Sequence, residues 1–358
     1  MTFKVENDMD THQLFMKRCI DLALLGSGST APNPMVGCVI VRKGLIIGEG
    51  YHMKCGGPHA EVNAINSVKN KDWLKECTLY VSLEPCAHFG KTPPCSDLII
   101  QMGIPRVVIG TSDPFAEVSG RGIEKLRGRG IDVVTGILEE ECRWLNRRFF
   151  TFHEKNRPYI ILKWAQSADG YMAPDAARGE RKPVWITNAL SRQFVHKCRS
   201  EEASILVGTQ TAIADNPSLT VRDWAGPSPL RLLIDRSAKV PDNSNLLDGT
   251  EETVVFTERE NSSIGKVKYV KLDFTKNILP QLIEYLYKRD ILSLYVEGGA
   301  KTLEHFIGQG LWDETHLFTG PVLLGSGIRS PEIQGEVAFT KTFNEDRMVV
   351  LLNSIQNL

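Results

Sequence analysis

At 358 residues the chain is longer than one hydrophobic core usually fills, so two domains of roughly 150 to 200 residues each are expected. With 42% hydrophobic and 24% charged residues and a formal net charge of −1, it has the composition of an ordinary globular protein. That balance gives no overall pull toward nucleic acid or anionic lipid, and residues 1–10 hold no basic region followed by an apolar core. A cytoplasmic protein with neither a nucleic-acid nor a membrane partner is expected.

Residues 10–25 read as a helix that Asp10 or Thr11 can cap and Gly26 can stop. Apolar runs over 35–41 and 45–48 flank Arg42-Lys43-Gly44 and predict a hairpin. A helix over 59–68, a strand over 78–83, a helix over 96–102, a strand over 106–110, a helix over 123–129 and a strand over 132–135 follow. This alternation suits one sheet covered by helices. Residues 146–158, basic and aromatic, break it and are expected to connect two domains, 1–148 and 149–358, with their aromatics packed between them. Strand-like runs at 159–164, 204–207, 230–235, 253–256 and 292–296 then alternate with helical patterns at 189–199, 278–287 and 301–307, so a second α/β domain is expected.

Seven of the eight cysteines precede residue 150 and only Cys198 follows it, an uneven distribution for a disulfide framework. Three groups stand out. His59-Ala60-Glu61 opens a predicted helix, Pro85-Cys86 follows a predicted strand, and Cys95 opens the next helix after Pro93-Pro94. Two thiolates and an imidazole leave one of zinc's four tetrahedral positions open, which marks a catalytic site. Helix starts favour the thiolate form. Glu61 is not needed as a ligand and can move protons. Cys19, Cys38, Cys55, Cys77 and Cys142 are assigned to packing or chance. Gly26-Ser27-Gly28-Ser29-Thr30-Ala31 matches a loose dinucleotide fingerprint, but it follows a helix and is set aside.

The His-x-Glu and Pro-Cys pattern resembles the zinc deaminases of nucleobases, with eight residues between Cys86 and Cys95 in place of two. The stretch Pro85-Cys86-Ala87-His88-Phe89-Gly90-Lys91-Thr92-Pro93-Pro94-Cys95 resembles the deaminase domain of the bifunctional riboflavin biosynthesis proteins. That resemblance implies a cytidine-deaminase-like three-layer domain, with zinc on His59, Cys86 and Cys95 and Glu61 as the catalytic carboxylate. It implies substrate contacts from Asn33, His52, His88, Lys91 and Asp113, with Glu84 nearby. Phe115 stands where Asn is usual, so one polar contact is missing.

No Rossmann fingerprint follows residue 150. The passage Tyr295-Val296-Glu297-Gly298-Gly299-Ala300-Lys301 offers backbone N–H groups at a helix start, which suit a phosphate. Together with the segments 157–170, Trp185-Ile186-Thr187, 205–211 and 215–222, it resembles the reductase domain of the same family, which is related to dihydrofolate reductase in fold. The resemblance implies that Lys163, Arg199, Leu219, Arg222 and Glu297 hold the substrate. It assigns Gln166, Trp185, Thr211, Asp215, Arg236, Gly298, Gly299, Ala300 and Lys301 to NADPH. Ala168, Pro183, Asn188 and Arg236 depart from the family pattern, where Leu, a hydroxyl residue, Gly and Ser respectively are common.

The implied function is consecutive: hydrolytic deamination of 2,5-diamino-6-(5-phosphoribosylamino)pyrimidin-4-one, then NADPH-dependent reduction of the ribosyl group to ribityl. A homo-oligomer is expected from the family. The alternatives are a nucleoside or tRNA deaminase with an unrelated C-terminal domain, and a zinc-stabilised binding protein.

Overall fold

The computed structural model describes residues 8–87, 93–114, 120–175, 184–260 and 263–353. They belong to two compact units, Met1–Asn156 and Arg157–Leu358.

The first unit runs α1 (Asp8–Leu24), β1 (Gly37–Arg42), β2 (Leu45–Tyr51), α2 (Ala60–Ser67), a 3-10 turn (Lys71–Glu76), β3 (Thr78–Leu83), α3 (Cys95–Gln101), β4 (Arg106–Thr111), α4 (Arg121–Arg127), β5 (Asp132–Thr135), α5 (Glu139–Leu145) and α6 (Arg147–Lys155). The sheet order is β2-β1-β3-β4-β5. Strand β1 is antiparallel to both neighbours, while β3, β4 and β5 are parallel. Lys43 and Gly44 are both left-handed, which suits a two-residue turn between strands of natural twist. Alternate side chains divide the sheet between two cores. Val39, Val41, Tyr80 and Val108 meet Phe15, Met16 and Cys19 of α1, whereas Ile40, Leu79, Val81 and Ile109 meet Ala64 of α2, Ile99 of α3 and Leu126 of α4. Three layers result.

Close backbone approach fixes the helices. A Cβ on Gly37 would stand 1.9 Å from the Cys19 carbonyl oxygen, and one on Gly50 would stand 2.3 Å from the Ala64 nitrogen. The segment expected as a connector is instead helical over Arg147–Lys155, with Phe149, Phe150 and Phe152 buried. The expected division at 148/149 thus falls inside α6, and the compact units part after Asn156, which ends that helix in the left-handed conformation (φ 52°).

The second unit contains β6 (Tyr159–Gln166), β7 (Tyr171–Pro174), α7 (Ala189–Glu201), β8 (Ser204–Gly208), α8 (Thr209–Asp215), β9 (Leu230–Ile234), β10 (Thr253–Thr257), β11 (Val267–Lys271), α9 (Ile278–Tyr287), β12 (Ser293–Val296), α10 (Ala300–Gly308), β13 (Glu314–Thr319), β14 (Gly327–Arg329), β15 (Glu336–Phe343) and β16 (Asp346–Leu352). Nine strands form one sheet in the order β11-β10-β9-β8-β12-β6-β13-β16-β15. The first seven in that order are parallel, and β16 and β15 are added antiparallel. One face packs on Leu279, Leu282 and Leu286 of α9 and Phe306 of α10, the other on Cys198 of α7 and Ala212 of α8. Strands buried on both faces read as continuous apolar runs, which is why five of them are legible in the sequence. Asn188 caps α7 by accepting hydrogen bonds from the Leu190 and Ser191 N–H groups at 2.9 and 3.1 Å, so its departure from the family's Gly is a helix cap.

Gly37→Ala is expected to destabilise the protein by about 3 kcal/mol, because the backbone of α1 cannot retreat. Gly44→Ala, at a left-handed position with open space around it, should cost only about 1 kcal/mol. Shifts of the denaturation midpoint measure both.

Candidate active sites

In the first unit, His59 is the N-cap residue of α2, Cys95 is the first residue of α3, and Cys86 lies three residues beyond β3. Their donor atoms all lie within 4.8 Å of one another. His59 Nδ1 is 3.4 Å from Cys95 Sγ and 3.7 Å from Cys86 Sγ. Tetrahedral zinc with ordinary bond lengths would hold sulfur and nitrogen donors about 3.5 Å apart, so the three side chains fit that ion without rearrangement. Among the described residues this is the one group of three or more His, Cys, Asp or Glu side chains placed to share a metal.

The local electrostatics suit it. The Cys95 backbone N–H donates to Cys86 Sγ at 3.2 Å. Hydrogen bonding from the Cys95 side chain outweighs burial and, with His59 adding to it, holds the Cys86 thiol down to about 4. Cys95 is pushed the other way by the same contact, so Cys86 ionises first. Glu61 is almost wholly buried in the first turn of α2, and burial, reinforced by the Cys86 charge, raises its carboxyl to about 7 against the pull of His59. A carboxyl poised there is suited to taking and giving a proton.

Asn33 and His52 join this cluster. His52 Nδ1 donates to the Pro58 carbonyl at 3.0 Å, which leaves Nε2 to accept from Asn33 Nδ2 at 3.2 Å. Burial lowers the His52 pKa and keeps that neutral arrangement, and its ring lies 5.5 Å from the ring of His59. The loop bearing Asn33 is clasped by Asn146, whose side chain accepts from the Met35 N–H and donates to the Met35 carbonyl, both at 2.8 Å. Sequence reasoning missed Asn146, because a pairing across 111 positions leaves no local signal.

Glu84 is buried and serves the backbone around it. Its carboxylate accepts from the N–H groups of Gly122 (2.9 Å), Gly120 (3.0 Å), Ile123 (3.2 Å) and Asp113 (3.3 Å), so it ties the start of α4 to the loop after β4. Asp113 is half-buried beside it. His88, Lys91 and Phe115 lie outside the described residues.

In the second unit, Lys163 of β6, Arg199 in the last turn of α7 and Glu297 just past β12 converge. Arg199 grips Glu297 with two hydrogen bonds of 2.7 and 2.9 Å, and Lys163 Nζ lies 3.6 Å from the same carboxylate. Burial pushes Glu297 upward, but the charges of Arg199 and Lys163 overcome it and hold the carboxyl down to about 2. Arg199 also donates to the Thr220 carbonyl at 3.2 Å. Leu219 is left-handed (φ 55°) with its side chain in the core, so only its backbone is available to a ligand. Arg222 is exposed and its N–H donates to His196 Nδ1 at 3.2 Å.

Of the residues expected at the cofactor, Gln166 ends β6 and bonds Thr319 and Trp164. Thr211 Oγ1 lies so near Gly299 that a Cβ there would be 3.0 Å away, while one on Gly298 would be 2.9 Å from Thr302 Cβ. Ala300 and Lys301 open α10, presenting backbone N–H groups beside that turn. Trp185 is exposed under the Arg192 guanidinium, Asp215 ends α8, and Arg236 pairs with Glu258.

The Cytidine and deoxycytidylate deaminase zinc-binding region matches residues 9–111, and the RibD C-terminal domain matches residues 158–352. Riboflavin biosynthesis protein RibD of Aquifex aeolicus is 45% identical over 320 residues, 88% of each chain. The chain belongs to the RibD family. The RibD protein of Escherichia coli is 37% identical over 335 residues, 88% of this chain and 89% of its own. A diaminohydroxyphosphoribosylaminopyrimidine deaminase/5-amino-6-(5-phosphoribosylamino)uracil reductase of Thermotoga maritima superposes with a TM-score of 0.87 at 39% identity, covering 96% of this chain and 99% of that one. Acinetobacter baumannii RibD gives 0.86 at 31% identity, with coverage of 96% and 99%. As a RibD protein the chain is a bifunctional enzyme of riboflavin biosynthesis, with a zinc-binding deaminase domain of cytidine-deaminase-like fold and an NADPH-using reductase domain. The match over 158–352 decides against a deaminase with an unrelated appendage. No helix among the described residues is long and apolar enough to cross a membrane.

Metal analysis of the purified chain should give one zinc per chain, and His59→Ala or Cys95→Ala should lower that value by at least about tenfold, as loss of one of three ligands requires.

Proposed function

We propose that the first unit deaminates 2,5-diamino-6-(5-phosphoribosylamino)pyrimidin-4-one and that the second reduces the ribosyl group of the product to ribityl with NADPH. The observation that carries the first half is the convergence of His59, Cys86 and Cys95 at zinc-like spacing beside a buried carboxyl raised to about 7.

His59, Cys86 and Cys95 hold the metal, which when bound supplies a Lewis acid that makes water nucleophilic near neutral pH. Glu61 takes the proton of the attacking water and returns it to the departing amino nitrogen, so that C–NH2 and water become C=O and ammonia. Asn33 and His52 meet the pyrimidine edge; the fixed tautomer of His52 and the clasp of Asn146 on residue 35 hold them in place beforehand.

In the second unit, two cations face one carboxylate, so the Lys163, Arg199 and Glu297 cluster keeps a net positive charge for the phosphoribosyl group. NADPH when bound supplies the hydride that reduces C1′. The turn of Gly298 and Gly299 lets the cofactor's phosphates approach backbone N–H groups at the start of α10.

We further propose a cytoplasmic homo-oligomer. Eight free cysteines support a reducing compartment, and the exposed edge strand β15, with Val337 and Phe339 outward, supports pairing with a second copy.

Glu61→Gln should lower ammonia release by about 10³-fold, leave zinc content unchanged, and leave NADPH oxidation with the deaminated substrate intact. Arg199→Met should do the reverse: deamination persists, while the KM of the reductase for its pyrimidine phosphate rises by at least about tenfold.

A further inference from the structure

Residues 216–229 connect α8 to β9 without forming helix or strand, and Arg222 lies exposed among them. A long cationic side chain on such a segment helps a phosphate only if its backbone is held in place beforehand. One face of α7 does the holding, through His196, Arg199 and Ser200, which are three and four residues apart. Arg199 Nη1 donates to the Thr220 carbonyl at 3.2 Å, and the Arg222 N–H donates to His196 Nδ1 at 3.2 Å. Gly226 packs so closely on the helix that a Cβ there would stand 2.6 Å from Ser200 Cβ. The Val221 N–H, donating to Ser228 Oγ at 3.1 Å, closes the loop on itself.

His196 is the least expected of these anchors. Its ring is buried, yet both of its nitrogens face this one segment. A backbone N–H can only donate, so Nδ1 is the acceptor and Nε2 carries the proton, 3.5 Å from Asp223 Oδ2. The charged groups around the ring are Arg199 on its own helix, Arg222 and Asp223 on the loop, and Glu297 beyond β12. Burial, then the Arg199 charge, lower its pKa against the pull of Asp223, so the ring stays neutral and keeps its acceptor. An apolar side chain would fill the same space but leave the Arg222 N–H without its partner.

We infer that His196 is a positioning residue of the reductase: by tying the Arg222 backbone to the helix face that carries Arg199, it lets both guanidiniums grip the phosphate monoester of the substrate. A monoester dianion can accept from two such forks at once. This rests on the reductase reading above and adds to it a residue that governs substrate affinity without touching the substrate.

The test is steady-state NADPH oxidation by the full chain with the deaminated pyrimidine phosphate. His196→Leu should raise the KM for that substrate at least about tenfold while kcat and the KM for NADPH stay within about twofold, the split expected when binding is lost equally from ground and transition states. His196→Asn, which keeps an acceptor at the place of Nδ1, should recover most of the loss. His196→Gln, which keeps only a polar end toward Asp223, should recover little. With His196 already replaced by Leu, Arg222→Met should add less than about twofold, because the two residues act through one contact. Should His196→Leu not fold, the contrast between His196→Asn and His196→Gln reads the same contact, and ammonia release by the first unit shows that each chain is intact. An unchanged KM in His196→Leu, equal damage to kcat and to both KM values, no rescue by His196→Asn, or additive effects of the two replacements overturns the inference, while a raised KM in Arg222→Met alone keeps the reductase reading. A wild-type chain that oxidises no NADPH with the pyrimidine phosphate overturns both.

Discussion

Two sulfurs and a ring nitrogen, drawn within 4.8 Å of one another at the starts of two helices, govern the first unit. Such a group must shed protons to be useful, and its surroundings arrange this. The first N–H of α3 points at Cys86, and the Cys95 side chain supports the same sulfur. Glu61, already raised by its burial, feels the resulting negative charge and is driven further toward its protonated form. The metal ligands and the proton carrier are thus set by one electrostatic field. That field depends in turn on packing: α2 carries both His59 and Glu61, and its distance from the sheet is fixed by Gly48 and Gly50, where any side chain would strike the helix backbone.

The second unit solves an analogous problem with a single carboxylate. Glu297 is buried between Arg199 and Lys163 and stays ionised because both cations reach it. Next to Lys163 in register on β13 stands His316, paired with Glu314 at 2.7 Å and contacting the Tyr295 hydroxyl at 3.1 Å. Although burial opposes its charge, hydrogen bonding to Cys198 and Glu314 raises His316 to about 10. Buried charges of this kind persist only as complete pairs, since removing either partner strands the other in a medium that solvates it poorly. The buried carboxylates Glu297 and Glu314 thus each hold a cationic partner, and at Glu297 one cation is left in excess.

Residues whose role depends on local pattern were legible beforehand. The helix-start positions of His59 and Cys95, the strand before Cys86, and the central strands of the second unit all announce themselves in neighbouring residues. What escaped depends on distant ones. α6 was taken for a connector because Arg147-Arg148-Phe149-Phe150 lacks a clear polar and apolar period until its aromatics find their core. β13 hid because its buried face carries Glu314 and His316, which pass for surface residues until their partners across the sheet are known. β15 is exposed along nearly its whole length and offers no burial pattern at all. The bonding of Glu84 has no local signal either, because its four backbone donors come from residues about 30 to 40 positions away, a form of satisfaction typical of buried carboxylates.

The eight residues between Cys86 and Cys95, in place of the two of smaller zinc deaminases, look at first like a threat to the metal site. They are not, because neither cysteine takes its place from the segment between them. Cys86 lies three residues past the end of β3, and Cys95 opens α3, which is anchored in the core through Ile99. Two hydrogen bonds join the ends: the Cys95 N–H reaches Cys86 Sγ at 3.2 Å, and the Ser96 N–H reaches the Cys86 carbonyl at 3.2 Å. Loop length costs little once the ends are fixed, since closure entropy grows only logarithmically. The insertion is therefore free to vary in size and chemistry without moving the ligands.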